Sequence, residues 1–479
     1  MPDLTTRLVC SGCGASPDAT EPYPFRCPDA RDGDDVDHVL GREMSCDSAQ
    51  AHAWRRVFLD GEPNPFLRYR TLSHSYRVAL ARGLSDAAFV EIVETLDEAV
   101  AKVDGIGFRE TPFSPRPTLN EALGRAAGAL FVKDETGNVS GSHKARHMMG
   151  LAIWLEVARR SGMIAAASPA PRLAIASCGN AALAAAVVAR AAGMELDVFI
   201  PPDAHPNVTR RLSDLGARLN VCEREGEAPG DPCVICFRES VAQGELPFSV
   251  QGNDNGLAIE GGLTLGWEIV SSLLRSGESI DRLFVQVGGG ALASSCAQAF
   301  RDARNLGLLD RVPRLHAVQT EGAFPLRRAW ERVVAQILGE RLAFRIEKRD
   351  AAADASRATA AGSAAMAPRR RNALLHAAAH RSQFMQPWES VPHSVAHGIL
   401  DDETYDWLAI VEAMIETGGW PIVASEQELR EANDLAGSAT GIPADHTGTA
   451  GLAGLLHLTK RAVPMNGESI AVLFTGRQR

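Results

Sequence analysis

Residues 129–160 read ALFVKDETGNVSGSHKARHMMGLAIWLEVARR. A short apolar run, Ala129 to Val132, ends in Lys133-Asp134-Glu135 and passes into a turn rich in Gly, Asn and Ser. From His143 to Arg160 the chain resumes with apolar residues at helical spacing. The pattern predicts a strand, a loop and a helix. The loop Ser140-Gly141-Ser142-His143-Lys144-Ala145-Arg146 sets a lysine where the helix opens. The positive end of the helix dipole disfavours protonation there, and a lysine of depressed pKa is what nucleophilic chemistry at a carbonyl needs. Taken alone, the loop also reads as a surface lysine in a Gly-Ser turn, the commoner case. Arg146 beside it reads either as a ligand for an anionic group or as a solvated helix residue.

Outward from this stretch the rhythm repeats. Leu173 to Ala176 and Leu196 to Ile200 are expected strands, followed by helices over Asn180 to Ala192 and Asn207 to Leu215. Leu283 to Val287 is a further strand with an alanine-rich helix from Ala291, and Leu315 to Val318, Ile422 to Ala424 and Ile470 to Phe474 complete the set. Strand and helix alternating in this way imply an α/β fold with parallel sheets covered on both faces. Ligands in such folds sit at the carboxyl ends of strands.

Two more strand-ending loops carry polar or glycine-rich sequence. Ser177-Cys178-Gly179-Asn180-Ala181-Ala182 opens a small-residue helix whose free N–H groups suit a carboxylate or phosphate. Asn180 is there either a donor to a ligand or only a helix cap. Gly288-Gly289-Gly290-Ala291-Leu292 lets the backbone approach a phosphate, or is simply a tight strand-to-helix turn. It has neither the Gly-Lys-Ser/Thr of a P-loop nor the spacing of a dinucleotide fingerprint.

The chain has 479 residues, enough for two or three domains, with 45% hydrophobic and 23% charged residues and a formal net charge of -10. An acidic chain disfavours nucleic acid as a partner. No secretory signal is read at the N-terminus and no apolar run reaches the ~18 residues of a membrane span, so the cytoplasm is the expected location. The odd count of nine cysteines argues for reduced thiols rather than a disulfide scaffold.

Lysine, asparagine loop and glycine loop, in this order and each after a strand, resemble the fold-type-II pyridoxal-phosphate enzymes. That group includes tryptophan synthase β, serine and threonine dehydratases and threonine synthase. Within it the chain is most similar to threonine synthase and its relatives. Cys10-Ser11-Gly12-Cys13 and Cys27-Pro28 resemble the cysteine-bearing start of that family, and Glu110-Thr111-Pro112-Phe113 its Gly-x-Thr-Pro-Leu entry. Lys133-Asp134-Glu135, Gly261-Gly262-Leu263-Thr264 with Glu268, and Leu473-Phe474-Thr475-Gly476 resemble three further family motifs.

The resemblance implies two open twisted, mostly parallel sheets flanked by helices, plus a small cysteine-bearing N-terminal segment. It implies a division into residues 1–60, a cofactor-binding domain of 61–144 with 255–479, and a substrate-gating domain of 145–254. Lys144 would hold pyridoxal phosphate as a Schiff base and move the Cα proton. Asn180 would bond the ring hydroxyl, Thr475 would face the pyridine nitrogen, and Gly288, Gly289, Gly290, Ala291 and Leu292 would line the phosphate cup. Ser177, Cys178, Gly179 and Ala181 would hold the substrate carboxylate. The implied activity is that of a lyase or synthase, by β- or γ-elimination or replacement on an α-amino acid, in a homodimer without a membrane or nucleic-acid partner. The alternatives are dehydratase-type or diaminopropionate ammonia-lyase-type β-elimination, and a cofactor-binding protein without turnover. Val139, Ser140, His143 and Ala145 depart from the threonine synthase lysine motif, and the tail after Thr475-Gly476 is short, so the substrate stays open.

Cys10-x2-Cys13 is half of a zinc knuckle. Cys27 lacks a second cysteine at Ala30, and Cys46 and His38 are the other candidates, so no metal is expected, with zinc on Cys10, Cys13 and Cys27 as the alternative. Acids cluster at Asp32, Asp34, Asp35 and Asp37 in the same segment. Cys233 and Cys236 read as buried thiols, and His393 and His397 as part of a structural or active-site loop rather than a metal pair. Thr447-Gly448-Thr449-Ala450-Gly451 reads as a helix cap or a wall of the substrate pocket. Ala351 to Ala379, with Arg369, Arg370 and Arg371 in a row, reads as a mobile insertion, or else as a lid or an anion-binding arm.

Overall fold

The computed structural model describes residues 4–31, 33–46, 50–125, 127–165, 171–223, 230–340, 351–359, 366–465 and 467–478. Asp32 of the acidic cluster and residues 360–365 of the expected insertion lie outside them. At the N-terminal end, β1 (Leu4–Cys10) and β2 (Leu40–Cys46) pair antiparallel with Cys10 opposite Leu40.

The larger sheet is built from β3 (Phe113–Pro115), β4 (Leu130–Asp134), β9 (Arg282–Gln286), β10 (Arg314–Thr320), β11 (Ile422–Ala424) and β12 (Ile470–Phe474). Their order across the sheet is β11-β10-β9-β12-β4-β3, parallel throughout except for the edge strand β3. The smaller sheet holds β5 (Leu173–Ala176), β6 (Leu196–Ile200), β7 (Arg218–Val221) and β8 (Leu246–Pro247) in the parallel order β7-β6-β5-β8. Every residue of β6, β9 and β12 is buried, as expected of parallel strands covered on both faces.

The topology decides where chemistry can gather. The last strand, β12, inserts between β9 and β4. Three adjacent parallel strands therefore discharge three loops on one side: β4 leads to Lys144, β9 to Gly288 and β12 to Thr475. The loop after β5 adds Ser177 to Ala181 from the smaller sheet.

The Lys144 helix (Lys144–Arg160) packs on the helix Ile259–Ser276 through glycines. A Cβ on Gly150 would lie 2.7 Å from the Gly261 nitrogen, and one on Gly261 would run into the Arg146 carbonyl. The backbones touch, so neither position has room for a methyl group. Gly261→Ala is expected to cost about 1–3 kcal/mol by overpacking, read as a lower midpoint in thermal unfolding. An unchanged midpoint would show that the crossing gives way freely.

Two sequence expectations need correction. Residues 256–276 do form a helix long and apolar enough to cross a bilayer, but 89% of its apolar window is buried inside the fold. It is a core helix, and Glu260 and Glu268 on it make internal polar contacts. The alanine-rich stretch, where described, is not a free insertion: Ala351–Thr359 and Ala367–Ala379 are helices, and Ala355, Ala373, Ala377 and Ala378 are buried in the main core. Alanine lets helices pack closely while leaving little hydrophobic periodicity to read. Arg369 and Arg371 of the arginine run are exposed.

Candidate active site

Lys144 begins its helix at the foot of a cleft of about 2200 Å³ between the loops of the two sheets. The volume exceeds the ~300–1,000 Å³ usual for one small ligand. All the residues expected at a site line it: Lys144, then Ser177, Cys178, Gly179, Asn180 and Ala181, then Gly288, Gly289, Gly290, Ala291 and Leu292, and Thr475. The asparagine loop reaches across to the C-terminal strand end, since a Cβ on Gly476 would meet Asn180 Nδ2 at 2.9 Å.

Among the described residues, no hydrogen bond or ion pair engages the Lys144 amine. Burial lowers its pKa, with the carboxylates of Asp401 and Asp406 pulling the other way. His143, just before it, is buried with no hydrogen bond at either ring nitrogen. Burial first and the neighbouring Lys144 second hold its pKa well below the usual imidazole range, so the ring is neutral. His147 is pushed down to about 3 by the same two causes and contacts the Ala258 carbonyl through Nδ1 at 2.8 Å.

The glycine turn enters the helix Ala291–Asn305 through Gly290, whose φ of 105° is left-handed backbone suited to glycine. Ser294 makes the first helical bond, to the Gly290 carbonyl. The amides of Ala291, Leu292 and Ala293 thus form the open, partly positive helix end. Behind the turn, the Thr404 hydroxyl donates to the Gly288 carbonyl at 2.9 Å and the Asp406 amide to that of Gly289 at 3.1 Å. A similar helix end is presented by Asn180, Ala181 and Ala182, because Leu183 makes the first bond to Gly179. The cleft therefore holds two anion-accepting helix ends on opposite walls.

Thr475 is buried, its carbonyl takes the His143 amide at 3.4 Å, and its hydroxyl accepts from Gln286 Nε2. The same amide nitrogen donates to the Gly448 carbonyl, which fixes its orientation. The hydroxyl thus accepts one hydrogen bond, and among the described residues no group accepts its hydrogen. Gln286 was not singled out from sequence. The signal for Gln286 was a polar residue closing an apolar strand one step before Val287 and the glycines. Asp401 stands in the sequence only as an acid after the His393–His397 loop, and it reaches the cleft on the segment 387–405 that walls it.

Arg146 is neither solvated nor directed at a ligand. It is fully buried, with Nε 2.9 Å from Glu135 Oε2 and Nη1 2.7 Å from Glu268 Oε1, and it also donates to Thr111 and Thr264. Lys133 Nζ joins Glu268 and the Thr111 carbonyl. Two cations and two carboxylates thus balance inside the protein, two residues from Lys144. His393 lies in irregular chain and His397 in a short turn at the cleft, so the two do not share a helix face. Thr449 starts the helix Ala450–Lys460 without a side-chain cap, while Thr447 lines the cleft. Cys233 is buried with Cys222 and Phe237, and Cys236 packs against them.

Residues 106–379 match the family model described as pyridoxal-phosphate dependent enzyme. Threonine synthase of Methanosarcina acetivorans is 23% identical over 76% of this chain and 74% of its own length. Threonine synthase of Synechocystis is 28% identical over 45% of this chain; the match spans about half of that enzyme, 51%. L-serine dehydratase of Saccharomyces cerevisiae is 27% identical over 46% of this chain and 64% of its own. Among solved structures, a threonine deaminase from T.th. shares the fold with a TM-score of 0.54 at 20% identity, covering 81% of this chain and 98% of its own. Diaminopropionate ammonia lyase from Escherichia coli does so with a TM-score of 0.56 at 14% identity, covering 88% and 92%.

Proposed function

Since this chain belongs to the pyridoxal-phosphate dependent enzyme family, we propose that it catalyses elimination or replacement at the β or γ carbon of an α-amino acid, with the cofactor held covalently on Lys144 Nζ. The observation that carries this reading is one cleft joining an unengaged amine of lowered pKa, two anion-accepting helix ends and a neutral hydroxyl donor.

Pyridoxal phosphate, when bound, supplies the electron sink that weakens the bonds at the amino acid's Cα. The residues present fit it. The backbone amides of the 288–292 turn suit its phosphate, the Asn180 amide its ring hydroxyl, and the Thr475 hydroxyl its ring nitrogen. The Thr475 hydroxyl would meet that nitrogen as a neutral donor, without the charge by which a carboxylate would hold a proton there. The amides after Ser177, with Cys178, Gly179 and Ala181, hold the substrate carboxylate on the opposite wall. The Lys144 amine takes the Cα proton and later returns it. His143, its pKa held down by burial, adjoins this amine in the chain. The same reading has residues 145–254 gating the cleft of 61–144 and 255–479, in a cytoplasmic homodimer.

Serine, threonine, diaminopropionate and phosphohomoserine, offered separately, test the reaction. Keto acid with ammonia marks β-elimination, and phosphate release marks threonine synthase-type chemistry. No turnover of any of them by cofactor-loaded protein would favour a binding protein instead.

Asp401 gives this reading a pH dependence. A Cβ on Gly288 would collide with its Oδ2, and the Gly289 amide points at its carboxylate. Burial raises its pKa to about 6, against the pull of Lys144. Ionised Asp401 repels a phosphate seated on the same turn. Cofactor affinity should therefore fall as pH rises through about 6, and Asp401→Asn should bind pyridoxal phosphate about tenfold more tightly than the natural protein at roughly pH 8, a difference of ~1.4 kcal/mol. Absorbance titrations of both proteins check this; equal affinities would remove Asp401 from the phosphate's surroundings.

A further inference from the structure

Outside the residues that line the cleft, Cys10, Cys13, Cys27 and His38 bring three thiols and an imidazole nitrogen within 4.8 Å of one another. We propose that these four residues bind a structural zinc ion in tetrahedral coordination. The inference does not depend on the reading of the cleft, and it departs from the expectation of no metal.

Distances come first. Cys13 Sγ and Cys27 Sγ are 3.5 Å apart, and Cys10 Sγ and His38 Nδ1 are 3.4 Å apart. A tetrahedron with Zn–S of about 2.3 Å and Zn–N of about 2.0–2.1 Å has edges of roughly 3.5–3.8 Å. A disulfide needs sulfurs about 2.05 Å apart, so the Cys13–Cys27 pair is spaced as two ligands.

Backbone amides face two of the sulfurs. The amides of Gly12 and Cys13 point at the Cys10 sulfur and that of Asp29 at Cys27, as turns that wrap a metal-bound sulfur do. Gly14 closes the first turn on the Cys10 carbonyl and Ala30 the second on that of Cys27. A side chain on Gly12 would strike the Asp37 carbonyl at 2.6 Å, so the knuckle is packed tight. His38 is oriented from behind: its Nε2 lies 3.1 Å from Asp34 Oδ2. A proton on Nε2 shared with that carboxylate leaves the Nδ1 lone pair for a metal, the usual support of a zinc-bound histidine.

The fold explains why sequence spacing looked defective. The pairing of Cys10 with Leu40 draws His38 back over the first knuckle, where it takes the place that Ala30 cannot fill. Cys46, at the far end of β2, instead contacts the Asn305 carbonyl at 3.7 Å. The neighbouring residue, Asp37, is buried and accepts from Trp407 Nε1 at 3.0 Å and Arg381 Nε at 3.1 Å. Trp407 and Arg381 flank the segment 387–405 that walls the cleft, so the metal would brace that wall.

The test uses the full-length protein, purified under reducing conditions and reconstituted with Zn²⁺ or with Co²⁺ in its place. One zinc per chain by elemental analysis is expected, along with the intense visible d–d bands of tetrahedral cobalt and thiolate-to-cobalt charge transfer. His38→Cys should keep the metal, and Cys27→Ser should lose most of it. If Cys27→Ser fails to fold, the cobalt spectrum of the natural protein still decides. Substoichiometric zinc after reconstitution, a weak octahedral cobalt spectrum, or full zinc retention in Cys27→Ser would overturn the assignment.

Discussion

Lys144→Ala is expected to lower turnover by about 10⁴-fold or more while leaving the fold intact. The loss is large because one amine serves both as the cofactor's covalent attachment and as the base at Cα. The fold should survive because no hydrogen bond or ion pair among the described residues engages that amine, and the alanine completes a helix start that has no side-chain cap. Lys144→Arg should be nearly as inactive. A guanidinium keeps the positive charge but never gives up its proton at working pH. Single-turnover kinetics on cofactor-loaded protein, with circular dichroism as the check on folding, reads this result. Activity in Lys144→Arg within tenfold of the natural protein would mean that Lys144 contributes charge alone.

Arg146→Met should lower stability by about 3–5 kcal/mol, the range for removing one partner of a buried ion pair. The guanidinium sits between Glu135 and Glu268, all three without exposure. Removing it leaves Lys133 as the single cation for two buried carboxylates. Burial alone would raise the Glu135 pKa, yet Arg146 and Lys133 hold it below its usual value. A carboxylate so depressed stabilises the fold above its unfolded pKa of about 4.3, and that stability is lost as pH falls through the folded value. The difference between natural protein and Arg146→Met should therefore be largest near neutral pH and shrink in acid. Adding Glu135→Gln to Arg146→Met should recover part of the loss. Denaturant unfolding at several pH values measures this, and a pH-independent difference would contradict the charge balance.

The strands and loops of the site were legible because each carries its own punctuation. β5, β6, β11 and β12 are short, mostly apolar runs bounded by Ser, Thr, Pro or charged residues, and the observed strands match the expected bounds residue for residue. The Asn180 and Gly288 loops follow strands within two residues and the Lys144 loop follows β4 after a short turn, so local pattern located them in the cleft. What could not be read locally was assembled by distance in sequence. Arg146 meets Glu135 11 residues away but Glu268 at 122, and a charged residue on a helix gives no sign of such partners. Asp401 and the wall 387–405 follow a stretch whose fully buried core residues are alanines, Ala355, Ala373, Ala377 and Ala378. His38 and Cys46 were both candidates in the sequence, and the antiparallel pairing of β1 with β2 is what brings His38, and not Cys46, to the other thiols.

The claim on which the rest stands is that Lys144 is where the cofactor is attached. Purified protein loaded with pyridoxal phosphate, treated with sodium borohydride and digested, should yield one modified peptide on mass mapping, with the pyridoxyl group on Lys144 and the visible band removed. A pyridoxyl group on another lysine, or no visible band and no modified peptide from fully folded protein, would contradict it.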